Sequence, residues 1–166
     1  MNEQSDVDDL FVTLGLPNDR DLLALIGEVS IRHGQHDNAL RLVLGTLRLQ
    51  NADQARHLFQ NVGSYQLRKE IKKSARHSIA DKNALSSLND LLTRSKLATD
   101  KRNEIFHGVW GTVLDGPSLF RDKGDWLPIP SKSELQQLAD EFLSIVVELN
   151  YARLESDGFL NKALKK

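Results

Sequence analysis

Asp81-Lys82-Asn83-Ala84-Leu85-Ser86-Ser87-Leu88-Asn89-Asp90-Leu91-Leu92 opens the run whose reading decides the fold. Asp81 is of a type that caps helix N-termini, because its carboxylate accepts amide hydrogens that the first turn leaves unpaired. After it Leu85, Leu88, Leu91, Leu92 and Leu97 recur at three-and-four spacing, and the pattern continues toward Arg102, Ile105, Phe106 and Val109. A helix with one buried face gives this rhythm. Thr99-Asp100 is expected to mark a kink or a fresh cap within it.

Toward the N-terminus, Leu67, Ile71 and Ala75 predict a helix from about 64 to 79. On its wheel Arg68, Lys69, Lys72, Lys73, Arg76 and His77 fill about half the circumference, an exposed basic face. A short helix is expected over 52–60. Leu22, Leu25, Ile26, Val29, Leu40, Val43, Leu44 and Leu47 share one face of a first helix of about 19–49, capped by Asn18 or Asp19. Gly27 and Gly34 weaken it locally and suit a close backbone approach. Residues 1–18 read as a loosely held acidic arm, whose apolar patch Leu10, Phe11, Val12 and Leu14 docks as a strand or a turn.

Toward the C-terminus, Thr112-Val113-Leu114, the Asp115-Gly116 turn pair, Leu119-Phe120, Gly124-Asp125 and Pro128-Ile129-Pro130 predict a small hairpin or ordered loop. Ser131 followed by Glu134 is a capping box. It opens a helix carrying Leu135, Leu138, Phe142, Ile145, Val146 and Leu149 and ending before Gly158. The expectation is an all-α domain over 19–160, a four- or five-helix bundle with a small β-hairpin or ordered loop between its last two long helices, followed by a frayed tail at 161–166.

The 166 residues carry 22 Lys+Arg against 23 Asp+Glu, for a formal net charge of -1, so bulk electrostatic coating of nucleic acid is disfavoured and any RNA contact is local. No Cys is present, which removes disulfides and thiol chemistry and suits a reducing compartment. The acidic start lacks the pattern of a signal peptide and no long apolar run follows, so a cytoplasmic protein without membrane contact is expected. Gly-rich phosphate loops, nucleophile elbows and paired catalytic carboxylates are absent from the sequence.

The chemistry-bearing string is Lys101-Arg102-Asn103-Glu104-Ile105-Phe106-His107-Gly108-Val109-Trp110, at the end of an apolar-periodic helix. Arg is a permanently charged planar fork suited to phosphate oxygens, and His gives or takes a proton near neutral pH. Those are the groups that metal-free RNA cleavage needs. The plainer reading pairs Arg102 with Glu104 or Asp100 and lets His107 cap the helix end.

This string resembles the signature of the HEPN superfamily, helical domains of many bacterial toxins and defence proteins, in which an Arg, often followed by Asn, precedes a His by four to six intervening residues. Arg102, Asn103 and His107 match it, and the likeness of layout extends over roughly 20–155. The resemblance implies a homodimer whose facing motif helices form one composite, metal-independent endoribonuclease site, with Arg102, Asn103 and His107 catalytic. Helix geometry agrees that a partner helps: Asn103 and His107 share a face, whereas Arg102 and His107 lie about 140° apart. RNA is then the substrate, no cofactor is expected, and a cognate antitoxin or partner protein is a further expected partner. The alternative is a catalytically silent dimeric module that binds a partner protein or nucleotide ligand.

Two further groups stand out. His33, His36 and Asp37 occupy neighbouring helical positions and could ligate a metal. Both His continue the apolar stripe from Val29 to Leu40, however, and a third strong ligand is lacking nearby, so a packed, hydrogen-bonded role without metal is expected. Asp37 also matches, by resemblance, an acidic residue of the first helix that orients Arg102 or His107. Lys69, Lys72, Lys73 and Arg76 form a candidate track for RNA phosphates, with a solvated face as the plainer alternative.

Overall fold

A computed structural model describes residues 12–15, 17–113, 117–121 and 126–164. Its elements in chain order are β1 (Val12–Leu14), α1 (Arg20–Leu47), α2 (Ala52–Leu58), α3 (Ser64–Ser78), α4 (Lys82–His107), β2 (Val109–Val113), β3 (Ser118–Arg121), β4 (Leu127–Pro128), α5 (Lys132–Leu154) and α6 (Phe159–Leu164). The helical bundle is present, with four long helices, two short ones and a small sheet between α4 and α5. No helix among the described residues is long and apolar enough to cross a membrane.

The helices start where side chains satisfy their first amides. Asp19 accepts from the amides of Asp21 and Leu22, both at 3.1 Å, and Asp81 from that of Asn83 at 2.8 Å. Asn51 with Gln54 and Ser131 with Glu134 close reciprocal capping boxes. The start of α3 has no such side-chain cap, because the capping position is Gly63, which has no side chain. α4 runs as one helix through Thr99-Asp100, where no fresh cap occurs; the Thr99 hydroxyl bonds the Ser95 carbonyl one turn back, at 2.7 Å.

α1 is the central element. It packs most extensively against α5 and next against α3, while α4 and α5 pack on each other. Leu40, Val43 and Leu44 of α1, Leu67 and Ile71 of α3, Leu88 and Leu92 of α4, and Leu135, Phe142, Ile145 and Leu149 of α5 join one hydrophobic core. Leu97, in phase with the apolar pattern of α4, is 62% exposed and takes no part in it. Between α4 and α5, Arg94 lies across Glu141 and Glu148, at 2.8 Å from each.

The arm contributes more than a loose patch. β1 pairs antiparallel with β2, Thr13 opposite Thr112, and extends the expected hairpin into a sheet of order β1-β2-β3-β4. Leu10, Phe11, Leu114 and the turn pairs Asp115-Gly116 and Gly124-Asp125 lie outside the described residues. At the other end, the expected frayed tail begins inside α6. Leu160 of that helix is fully buried, and its core contact holds the segment in place through Leu164; Lys165 and Lys166 lie outside the described residues.

Two glycines mark close approaches, neither of them where the sequence suggested. A Cβ on Gly45 would stand 2.4 Å from that of Ala55, so α1 and α2 meet there. A Cβ on Gly158 would stand 2.4 and 2.6 Å from the carbonyl oxygens of Tyr151 and Ala152, so the turn between α5 and α6 needs its absence. Gly27 and Gly34 face open space instead. Gly158→Ala is therefore expected to destabilise the fold by about 1–3 kcal/mol, since backbone must shift. Gly27→Ala is expected to stabilise it by about 0.5–1 kcal/mol by restoring helix propensity. Denaturant midpoints of the two variants check both signs.

Candidate active site

The site begins where the apolar stripe of α1 takes in polar residues. His36, fully buried, places Nε2 2.7 Å from the Ser95 hydroxyl of α4, and its Nδ1 faces the Asp37 carboxylate at 3.4 Å in an alignment that makes no hydrogen bond. Ser64, the first residue of α3, donates to the same Asp37 oxygen at 2.6 Å. His33, one turn earlier on α1, has Nε2 3.9 Å from that oxygen and 3.4 Å from Ser64 Oγ. Both imidazoles pack around Phe142 of α5, with ring centroids at 5.4 and 5.2 Å. The packed role expected for the two His is thus present, together with a clustering of three ligand-type groups that all lie within 4.8 Å of one another.

Arg68 joins this seam, and here the sequence reading is corrected. It was expected on the exposed basic face, but it is only 7% exposed and donates to Thr99 Oγ1 at 3.1 Å and Ser95 Oγ at 3.4 Å. Ser64, Leu67, Arg68, Ile71 and Ala75 are the buried side of α3, so a charged residue stands in the apolar phase. Lys69, Lys72, Lys73 and Arg76 do form an exposed basic surface. Ser95 and Thr99 were likewise missed. Both are small polar residues in phase with Leu88, Leu91 and Leu92, the signal by which a buried polar contact could have been found.

Arg102 is half-buried near the end of α4. Its guanidinium carbon lies 4.3 Å from the Phe106 ring centroid, one amino group donates to Asn103 Oδ1 at 3.2 Å, and Nε is buried without a partner. The neighbouring-carboxylate reading fails: Asp100 pairs with Lys96 at 2.5 Å, and Arg102 forms no ion pair among the described residues. His107 is exposed in the last turn, and it is the Trp110 indole that donates to a terminal carbonyl, that of Ile105, at 3.1 Å. Within one chain, Arg102 and Asn103 are in contact, while His107 makes no hydrogen bond with either.

Electrostatics connects α4 to α1. Burial pulls the Arg102 pKa below its ordinary value, with the charge of Asp37 opposing the shift. Burial likewise lowers that of His33, more than Asp37 raises it, and nearby Arg102, His36 and Arg68 add to the lowering. At Asp37 burial acts against the charged form, yet the approach of His36 and the Ser64 hydrogen bond prevail and hold the carboxyl below its usual value. Asp37 is therefore an anion whose charge reaches two cations: Arg102, and Arg68, which feels Asp100 more strongly.

Compared with known protein families, curated proteins and solved structures, the chain finds no match. Its functional reading rests on the residues themselves. Arg68→Ala is expected to cost about 1–3 kcal/mol, because it strips two buried hydroxyls of a charged donor. Lys69→Ala and Lys72→Ala on the exposed side are expected to stay within about 0.5 kcal/mol of the parent. Urea unfolding of the three variants separates the buried from the solvated members of the basic run.

Proposed function

We propose that the protein is a HEPN-like, metal-independent endoribonuclease, acting as a toxin or defence effector, whose site is shared between the motif helices of two subunits. The observation that carries this reading is the state of Arg102: a guanidinium held against Phe106, with a buried Nε lacking any partner and no carboxylate in ion-pair contact among the described residues. A buried donor left unmade is costly, and a cation kept free of carboxylates at a motif position is suited to an incoming phosphate. Asp37 fixes the field in which that cation sits without neutralising it by contact.

In the proposed reaction His107 of one subunit takes the proton of the ribose 2'-hydroxyl, and its oxygen bonds to the adjacent phosphorus. The bond from phosphorus to the 5'-oxygen breaks, and the partner subunit's His107 gives that oxygen a proton. The products are a 2',3'-cyclic phosphate and a free 5'-hydroxyl. Arg102 stabilises the charge gathering on the phosphoryl oxygens, and Asn103 holds it in place. Two subunits are needed because Arg102 and His107 lie about 140° apart on one helix, whereas a two-fold axis brings both pairs together. Lys69, Lys72, Lys73 and Arg76 supply the sequence-independent phosphate track along α3.

The purified protein is expected to sediment as a dimer and to cleave single-stranded RNA in EDTA. Arg102→Ala and His107→Ala are each expected to lower the cleavage rate by roughly 10²–10⁴. Cleavage that persists in both variants would remove the assigned roles. A dimer that leaves RNA intact would mark the silent partner-binding module instead. Separately, Ala at Lys69, Lys72, Lys73 and Arg76 should flatten the dependence of log affinity for single-stranded RNA on log salt, by about 0.7 per lost phosphate contact. An unchanged slope would assign these residues to a solvated face.

A further inference from the structure

The buried end of the polar seam contains an arrangement that RNA cleavage does not use. His36 is fully buried and its ring is anchored by Nε2 against Ser95 Oγ at 2.7 Å. When Nε2 carries the proton and donates to Ser95, Nδ1 is a bare lone pair. Nδ1 stands 3.4 Å from Asp37 Oδ1, off the line a hydrogen bond needs, and has no hydrogen-bond partner among the described residues. Two acceptors held this close in the interior repel each other unless a positive centre lies near both.

His33 completes the surroundings of that gap. Its Nε2 is 3.9 Å from the same oxygen, and the ligand atoms of His33, His36 and Asp37 lie within 4.8 Å of one another. Ligands at about 2.0–2.2 Å around a tetrahedral ion stand about 3.4 Å apart. The 3.4 and 3.9 Å separations are close to that edge length. Ser64 Oγ, 2.6 Å from Asp37 Oδ1 and 3.4 Å from His33 Nε2, borders the remaining position. The contacts of His36 with Ser95 and of Asp37 with Ser64 are the kind of outer support that keeps first ligands oriented.

We infer that His33 Nε2, His36 Nδ1 and Asp37 Oδ1 form a binding site for a divalent transition-metal ion of the zinc or cobalt type, with Ser64 or water at the fourth position. Two imidazole nitrogens with one carboxylate select such ions over magnesium and calcium, which prefer all-oxygen shells. Arg68 and Arg102 reinforce the choice, because their charge disfavours a cation held by electrostatics alone and leaves directional nitrogen coordination as the means of capture. A metal in this position draws on the Asp37 charge that otherwise faces Arg102. It is a ligand of the bundle interior and supplies none of the reacting groups of the proposed cleavage.

The test uses the full chain without an affinity tag and reads binding alone, so it is independent of the ribonuclease reading. Zn²⁺ is titrated against a chromophoric chelator, and Co²⁺ is followed by its visible absorption. One equivalent of Co²⁺ with a four-coordinate spectrum is expected, displaced by Zn²⁺ and undisturbed by excess Mg²⁺. His33→Ala and Asp37→Asn, both at partly accessible positions, are expected to weaken Zn²⁺ binding at least about 10–100-fold. His77→Ala, exposed on α3, is expected to leave it unchanged. Absence of stoichiometric binding would mean that a proton alone fills the gap and would overturn the inference. Binding equal in the parent and in both site variants would place the metal elsewhere and do the same.

Discussion

Enclosure of the second half of α1 is the constraint on which the rest of the structure depends. Ala39, Leu40, Leu42, Val43, Leu44, Gly45 and Leu47 are all buried, so this stretch is covered on nearly every side. A helix apolar all round needs neighbours all round, and α5, α3 and α2 supply them. Each buried Leu or Val there contributes about 1.5–3 kcal/mol relative to exposure. The same packing fixes the position of the turn just before it, where His36 and Asp37 stand.

Placing polar side chains at that point has consequences for three other helices. An internal hydrogen bond gains about 0.5–1.5 kcal/mol net, while a buried group left unpaired costs about 1–3 kcal/mol, so what decides the outcome is whether each group finds a partner. Ser95 of α4, Ser64 of α3 and Phe142 of α5 contact the two residues of α1, and Arg68 of α3 and Thr99 of α4 extend the network through Ser95. Two groups left without a partner, His36 Nδ1 and Arg102 Nε, belong to residues that interact electrostatically with Asp37. Unpaired donors and acceptors beside a half-buried carboxylate are where a ligand gains most, since it supplies partners the fold withholds.

The strong ion pairs lie away from this seam. Arg94 is held by Glu141, Glu148 and Ser144, and Arg48 reaches Glu70 at 2.6 Å; both are partly solvated struts between helices. Lys132 ties the start of α5 to Asp19 and Asp21 at the start of α1, in water and hence weakly. These carboxylates are engaged at the helix ends and flanks, and Arg102 makes no ion pair with any described one.

The sequence by itself determined the helices, their caps and most of the core. Asp19, Asp81, Asn51 and Ser131 act locally, and the three-and-four spacing of Leu and Ile depends only on helical geometry. It also exposed the Arg102 to His107 string and the His33, His36 and Asp37 cluster, because each lies within two turns of one helix. Tertiary structure alone decided that Arg68 turns inward while Lys69 stays out, that Leu97 is left in solvent, that β1 joins the hairpin, and that Leu160 anchors a last helix. Each of these depends on what stands opposite in space: the hydroxyls of Ser95 and Thr99, the strand β2, the core beneath α6. Periodicity says which side of a helix faces inward and is silent on what it meets there, so partners brought from distant positions became visible only when the helices were packed together.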